Sequence, residues 1–133
     1  MLAFLLAAQL GAPIIVMPSP ELAARRQVEA DRAAAERVAE VRRLGWMDCV
    51  QREKIALRSS RESVGDIATA VLSGCTNEQQ VYRRALPFAF RGLMDELRAN
   101  EAADTIVARA RVGLREALIG FYVGDRLKRR ARR

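Results

Sequence analysis

Apolar positions follow two regimes along this chain. Residues 2–17 form an apolar run broken only by Gln9, Gly11 and Pro13. Beyond Glu21 the larger apolar side chains recur at intervals of three and four, the period of one helix face. No period-2 run, no Asn-Gly or Asp-Gly hairpin signal and no internal repeat is present. The pattern predicts an all-α fold, a small bundle of about four helices after the N-terminal run.

Within the body, residues 25–44 predict a polar, alanine-rich helix with opposite charges one turn apart at Arg25–Glu29 and Arg32–Glu36. Gly45 is expected to interrupt it. Residues 46–125 then carry the core helices. The first presents Trp46, Cys49, Val50, Ala56 and Leu57 on one side. Ser59-Ser60-Arg61-Glu62 has the form of a capping box, and Val64, Ile67, Ala68, Val71 and Leu72 follow at helical spacing to Ser73-Gly74-Cys75.

Thr76-Asn77-Glu78-Gln79 opens the next segment, whose apolar set is Val81, Tyr82, Ala85, Leu86, Phe88, Ala89, Leu93 and Leu97, with a kink expected at Pro87. Asn100-Glu101 marks a further break. The last helix is predicted from about Ala102 to Val123, with Ile106, Ala110, Gly113, Leu114, Ala117 and Phe121 inward and Gly124 as its stop.

The apolar run has the length of a signal-peptide core rather than of a membrane span, which needs about 20 residues. Pro20-Glu21-Leu22-Ala23-Ala24 supplies a helix breaker and small residues for cleavage after Ala24, making residues 1–24 a predicted signal peptide. Two features run against this. No Lys or Arg precedes the run, and Leu22 is large for its position. A retained anchor and a buried N-terminal helix of a cytosolic protein remain the alternatives.

Export changes the reading of the two cysteines. In an oxidising periplasmic or secreted setting Cys49 and Cys75 are expected to pair. They lie about 12 residues before and 14 after the predicted turn, so an antiparallel hairpin brings them to similar height. The resulting disulfide-stapled hairpin closes a loop worth about 3–4 kcal/mol by chain entropy. Neither cysteine belongs to a Cys-X-X-Cys motif, so the bond reads as structural.

The formal charge of +7 is concentrated at one end. Residues 25–125 hold 17 basic against 15 acidic residues, whereas residues 126–133 hold six cations and no anion. Arg126, Lys128, Arg129, Arg130, Arg132 and Arg133 in this basic tail are the candidate contacts to an anionic membrane or envelope polymer. Phe121 and Tyr122, just before the tail, would sit at headgroup level in such an arrangement. Arginine and alanine abundance alone is the mark of GC-rich coding, and nucleic acid is disfavoured by export and by the lack of a recognisable binding motif.

Catalytic chemistry is poorly supplied. The chain has no histidine, which removes the commonest general base and the triads built on it. Two cysteines cannot complete a zinc site, and no glycine-rich phosphate loop or nucleophile elbow occurs. Asp48 and Glu53 lie near Trp46, and Asp95 and Glu96 are adjacent, yet neighbouring helical residues diverge. Asp48–Arg52 has the spacing of a surface ion pair. The expectation is a protein without catalytic residues, metal or cofactor. It reads as a structural or interaction module of the bacterial cell envelope, with a protein partner or self-association open. A peripheral binder of anionic surfaces through the C-terminal helix and tail is the alternative, and a carboxylate-only hydrolase a distant third.

Overall fold

A computed structural model describes residues 19–133. The apolar run and most of the predicted signal peptide therefore lie outside the described residues. Four helices follow in order: α1 (Pro20–Ala56), α2 (Val64–Gly74), α3 (Thr76–Ala89) and α4 (Glu96–Ala131). The fold is all-α, and a Cys49–Cys75 disulfide spans 26 positions of sequence.

Helix α1 starts where the cleavage segment was expected. The Ser19 side chain accepts from the Leu22 N–H at 3.3 Å, and Pro20 occupies the first helical turn. There its missing N–H costs nothing and its fixed φ suits the helix, so Pro20 begins the element rather than breaking it. Gly45 does not interrupt α1 either, since a lone glycine lowers helix propensity by only about 1 kcal/mol. Thirty-seven residues make a rod of about 55 Å. Arg32 and Glu36 form the expected pair at 3.6 Å. No ion pair joins Arg25 to Glu29 or Asp48 to Arg52 among the described residues, as befits exposed side chains whose pairing energy is small.

The second cap also lies elsewhere. Ser63, the residue just after the predicted box, accepts from Asp66 N at 3.1 Å and donates to the Asp66 carboxylate at 2.5 Å. Helices α2 and α3 are separated by Cys75 alone, whose backbone caps α3 without a side-chain hydrogen bond. Thr76 instead donates to Ser73 O.

Helix α1 runs antiparallel to α3, its main partner. The disulfide sets the two at one height, with a Cα–Cα distance of 5.8 Å. One turn earlier on α1, Trp46 meets Tyr82 of α3 with ring centroids 6.1 Å apart. Further back, Val28 lies beside Gly92, just past the end of α3. Helix α4 returns along α3 and α2, its course marked by Arg111–Gln79 and Arg83–Asp104.

The core is concentrated around the disulfide. Trp46, Ile67, Val71, Leu72, Cys75 and Tyr122 are its largest fully buried side chains. The inward set predicted for α2 is there, with Ile67, Ala68, Val71 and Leu72 all buried. Helix α4 differs. It begins at Glu96, so Asn100-Glu101 lies inside it, and its buried residues are Ala99, Ala103, Val107, Leu118, Tyr122 and Asp125. The most buried positions lie beside the expected stripe, of which Ala110, Leu114 and Phe121 pack partly buried against the core.

The break placed at Asn100 falls instead at residues 90–95. Pro87 cannot donate to the α3 ladder, and the helix ends two residues later. Gly92 then adopts φ +78°, and a Cβ built there would meet Val28 Cγ1 at 2.8 Å. Both the backbone and the close approach require glycine. Gly92→Ala is expected to destabilise the protein by about 1–2 kcal/mol in chemical denaturation. Adding Val28→Ala should recover only the steric share, because the left-handed backbone remains strained. An unchanged midpoint for Gly92→Ala would contradict this account of the turn.

Candidate functional site

The two ends of the bundle differ in chemistry. At one end, the last turns of α4 grip the connection between α1 and α2. Asp125, only 8% exposed, accepts from Arg58 Nε at 3.0 Å and Nη2 at 2.5 Å. Arg129, one turn further on, approaches its other oxygen at 2.8 Å. Arg126 donates to the Ser60 and Glu62 carbonyls, and Arg129 to the Arg58 carbonyl. The Tyr122 hydroxyl donates to Lys54 O at 2.8 Å, and Lys54 Nζ stands 4.6 Å from the Phe121 ring centroid.

These contacts divide the predicted anionic-surface residues. Arg126 and Arg129 serve the fold by satisfying carbonyls of the α1–α2 connection. Lys128, Arg130, Arg132 and Arg133 are exposed, and all six lie on or just beyond α4, which continues past Gly124 to Ala131. Cations in a last helical turn oppose the negative end of the helix dipole, so part of the tail's basicity is structural. Tyr122 is buried and hydrogen-bonded, and Phe121 is half-buried under Lys54. The Tyr122 ring is thus held inside the fold. The Asp125–Arg129 spacing was the sequence signal that the tail would be held.

The opposite end, where α3 passes into α4, is poor in core and rich in exposed apolar surface. Phe88 is 56% exposed, Leu93 61% and Leu97 70%. All three were expected inward by their helical spacing. They emerge because α3 ends at Ala89 and α4 starts again on a new axis at Glu96. Met94 and Val28 extend the patch.

Two hollows flank Phe88. One, about 590 Å³, is lined by Arg83, Arg84, Pro87, Phe90 and Met94 among others. The second, about 360 Å³, lies towards α1 at Asp31, Ala35 and Val38. Arg84 and Arg91 border both hollows, and Arg91 lies 5.9 Å from the Phe88 ring centroid. Neither has a carboxylate within ion-pair distance among the described residues, unlike Arg83 with Asp104 at 2.7 Å and Arg98 with Asp95 at 3.6 Å.

The carboxylates are arranged for capping and pairing. Asp95 caps α4 by accepting from Arg98 N, while Glu40, Asp104 and Asp125 are held below their ordinary pKa chiefly by hydrogen bonds from Arg43, Arg83 and Arg58. That is the wrong direction for a general acid at neutral pH. No group of three or more His, Cys, Asp or Glu capable of holding a metal occurs among the described residues. Cys49 and Cys75 are joined to each other inside the core.

The lowered pKa of Asp125 gives its clasp a pH dependence. A folded-state pKa below the unfolded one makes the stabilisation complete at neutral pH and erodes it as pH falls through the acid range below about 4. Asp125→Asn is expected to lower the melting temperature at pH 7, and the gap from the parent protein should shrink at pH 3. Equal gaps at the two pH values would exclude an ionic role for Asp125.

No protein-family model, curated protein or solved structure matches this chain.

Proposed function

We propose that this chain is an exported, non-enzymatic interaction module of the bacterial cell envelope, a helical rod braced by one disulfide that offers its surface to a partner. The observation that carries the reading is the cross-link itself. The only two cysteines of the chain are paired within the core, as expected of a protein that matures in an oxidising space. The apolar run at residues 2–17 supports the same route. The carboxylates support a non-catalytic role, because Asp95 caps α4, Asp66 bonds to the α2 cap, and Asp104 and Asp125 pair with arginine.

A second reading keeps the basic tail as a contact for anionic polymers or headgroups. It is favoured by Lys128, Arg130, Arg132 and Arg133, which remain exposed at the end of α4. Because Arg126 and Arg129 hold the fold, its test is deletion of residues 130–133 rather than of the whole tail.

The primary reading is checked by the intact mass of the protein recovered from its native compartment. The expected species lacks residues 1–24 and is about two daltons lighter than the fully reduced chain. A cytosolic protein with its leader present and two free thiols would refute export and the disulfide's role together.

A further inference from the structure

We infer that the outer face of α1 is a dimer interface, and that its occupant is the same face of a second copy of this chain, docked antiparallel. The inference rests on the reading of the chain as an interaction module and names the partner.

The face follows from the helical period. On the side of α1 opposite Ala39, Trp46, Cys49 and Val50, positions 30, 34, 37, 41, 44, 48, 51 and 55 recur at alternating steps of four and three. That is the spacing of a two-helix seam. All of these residues are exposed, and Val41, Leu44 and Ile55 are large apolar side chains that the bundle leaves uncovered. The seam holds one cation and one anion, Arg37 and Asp48. Neither has an ion-pair partner among the described residues.

The other charges of this stretch lie off the seam. Arg32 pairs with Glu36, Arg43 with Glu40, and Asp31 accepts from Gln27. Glu53 lies beside Gly74, Lys54 over Phe121, and Arg42 borders a hollow with Asn77 and Glu78 of α3. Arg52 stands at the rim of the seam.

The order of residues decides both the occupant and its direction. A two-fold axis passing between residues 42 and 43 sets Val41 opposite the second copy's Leu44, and Leu44 opposite the second copy's Val41. In the same register Arg37 faces Asp48, Ala34 faces Gln51 and Ala30 faces Ile55, each twice by symmetry. Apolar residues thus meet at the centre and opposite charges about one turn out on each side. The bulk of Ile55 falls opposite a small residue. A parallel, in-register pair would instead set Arg37 against Arg37 and Asp48 against Asp48. Charged seam positions select orientation and register in this way.

The seam is about 40 Å long and about 10 Å wide, so two copies bury on the order of 1,000 Å², at the lower edge of specific interfaces. That area fits a reversible, concentration-dependent dimer rather than an obligate one.

The test is sedimentation equilibrium on the protein recovered from its native compartment, from about 1 μM to about 1 mM. The parent protein should pass from monomer to dimer across this range. Arg37→Glu and Asp48→Arg should each weaken dimerisation by about tenfold or more, because both facing pairs become repulsive. Mixed one to one, the two variants should associate as tightly as the parent, since every facing pair is then again of opposite sign. Leu44→Lys should abolish the dimer while leaving the melting temperature of the monomer unchanged, since the side chain is exposed.

A parent protein that stays monomeric throughout would overturn the inference. So would single reversals whose mixture fails to associate, or a dimer that Phe88→Ser with Leu97→Ser abolishes and Leu44→Lys does not. An exported, cross-linked monomer would leave the module reading standing with a different partner. A reduced cytosolic chain that dimerises in this register would remove that reading and keep the interface.

Discussion

The covalent bond between Cys49 and Cys75 sets the register of the whole molecule. Helix α1 is about 55 Å long, yet beyond its N-terminal turns it buries few side chains. Its buried residues are Ala39, Trp46, Cys49 and Val50, all on one face. An alanine-rich rod with so narrow an apolar stripe has little to stop it sliding along a neighbour. The bond fixes one point of α1 against the α2–α3 junction, and Trp46 beside Tyr82 follows from that height. From there the antiparallel course of α3 carries the chain to the Gly92 turn beside Val28, and α4 back to the α1–α2 connection.

This arrangement also explains the contrast between the two ends. Large side chains gather where three elements meet the disulfide, and the Tyr122 hydroxyl, Asp125 and the tail arginines close that end over loop carbonyls. At the other end α1 extends past the body and α3 stops at Pro87–Ala89, so no element among the described residues covers Phe88, Leu93 and Leu97. The exposed apolar surface at this end is thus a result of where the helices end.

Much of the fold was legible in the residues. The all-α class, the turn before α2, its buried set and the cysteine pairing follow from period and spacing. What was not legible depends on tertiary context. Gly45 and Gly124 read as stops, but a glycine ends a helix only when the following backbone turns away. Here Trp46–Cys49 and the Asp125 clasp draw the chain onward in helical form. Asn100-Glu101 read as a break, while the true break relies on Pro87 and on the positive φ of Gly92. Phe88, Leu93 and Leu97 read as core because periodicity cannot show that one helical axis has ended and another begun. The exposed apolar corner was therefore hidden among residues taken for interior ones. The tail was legible as basic and not as anchored, although Asp125–Arg129 stood at the right spacing.

The most direct test of the register role of the cross-link is native-state hydrogen exchange on the oxidised and the reduced protein. With the bond intact, amides of Trp46–Val50 and Ile67–Leu72 should exchange only through global opening. On reduction their protection should fall together, on the order of a few hundredfold, as expected for a loop of this length. Equal protection in both redox states, or a loss confined to α2 with α1 unaffected, would contradict the claim that the bond holds α1 to the rest of the bundle.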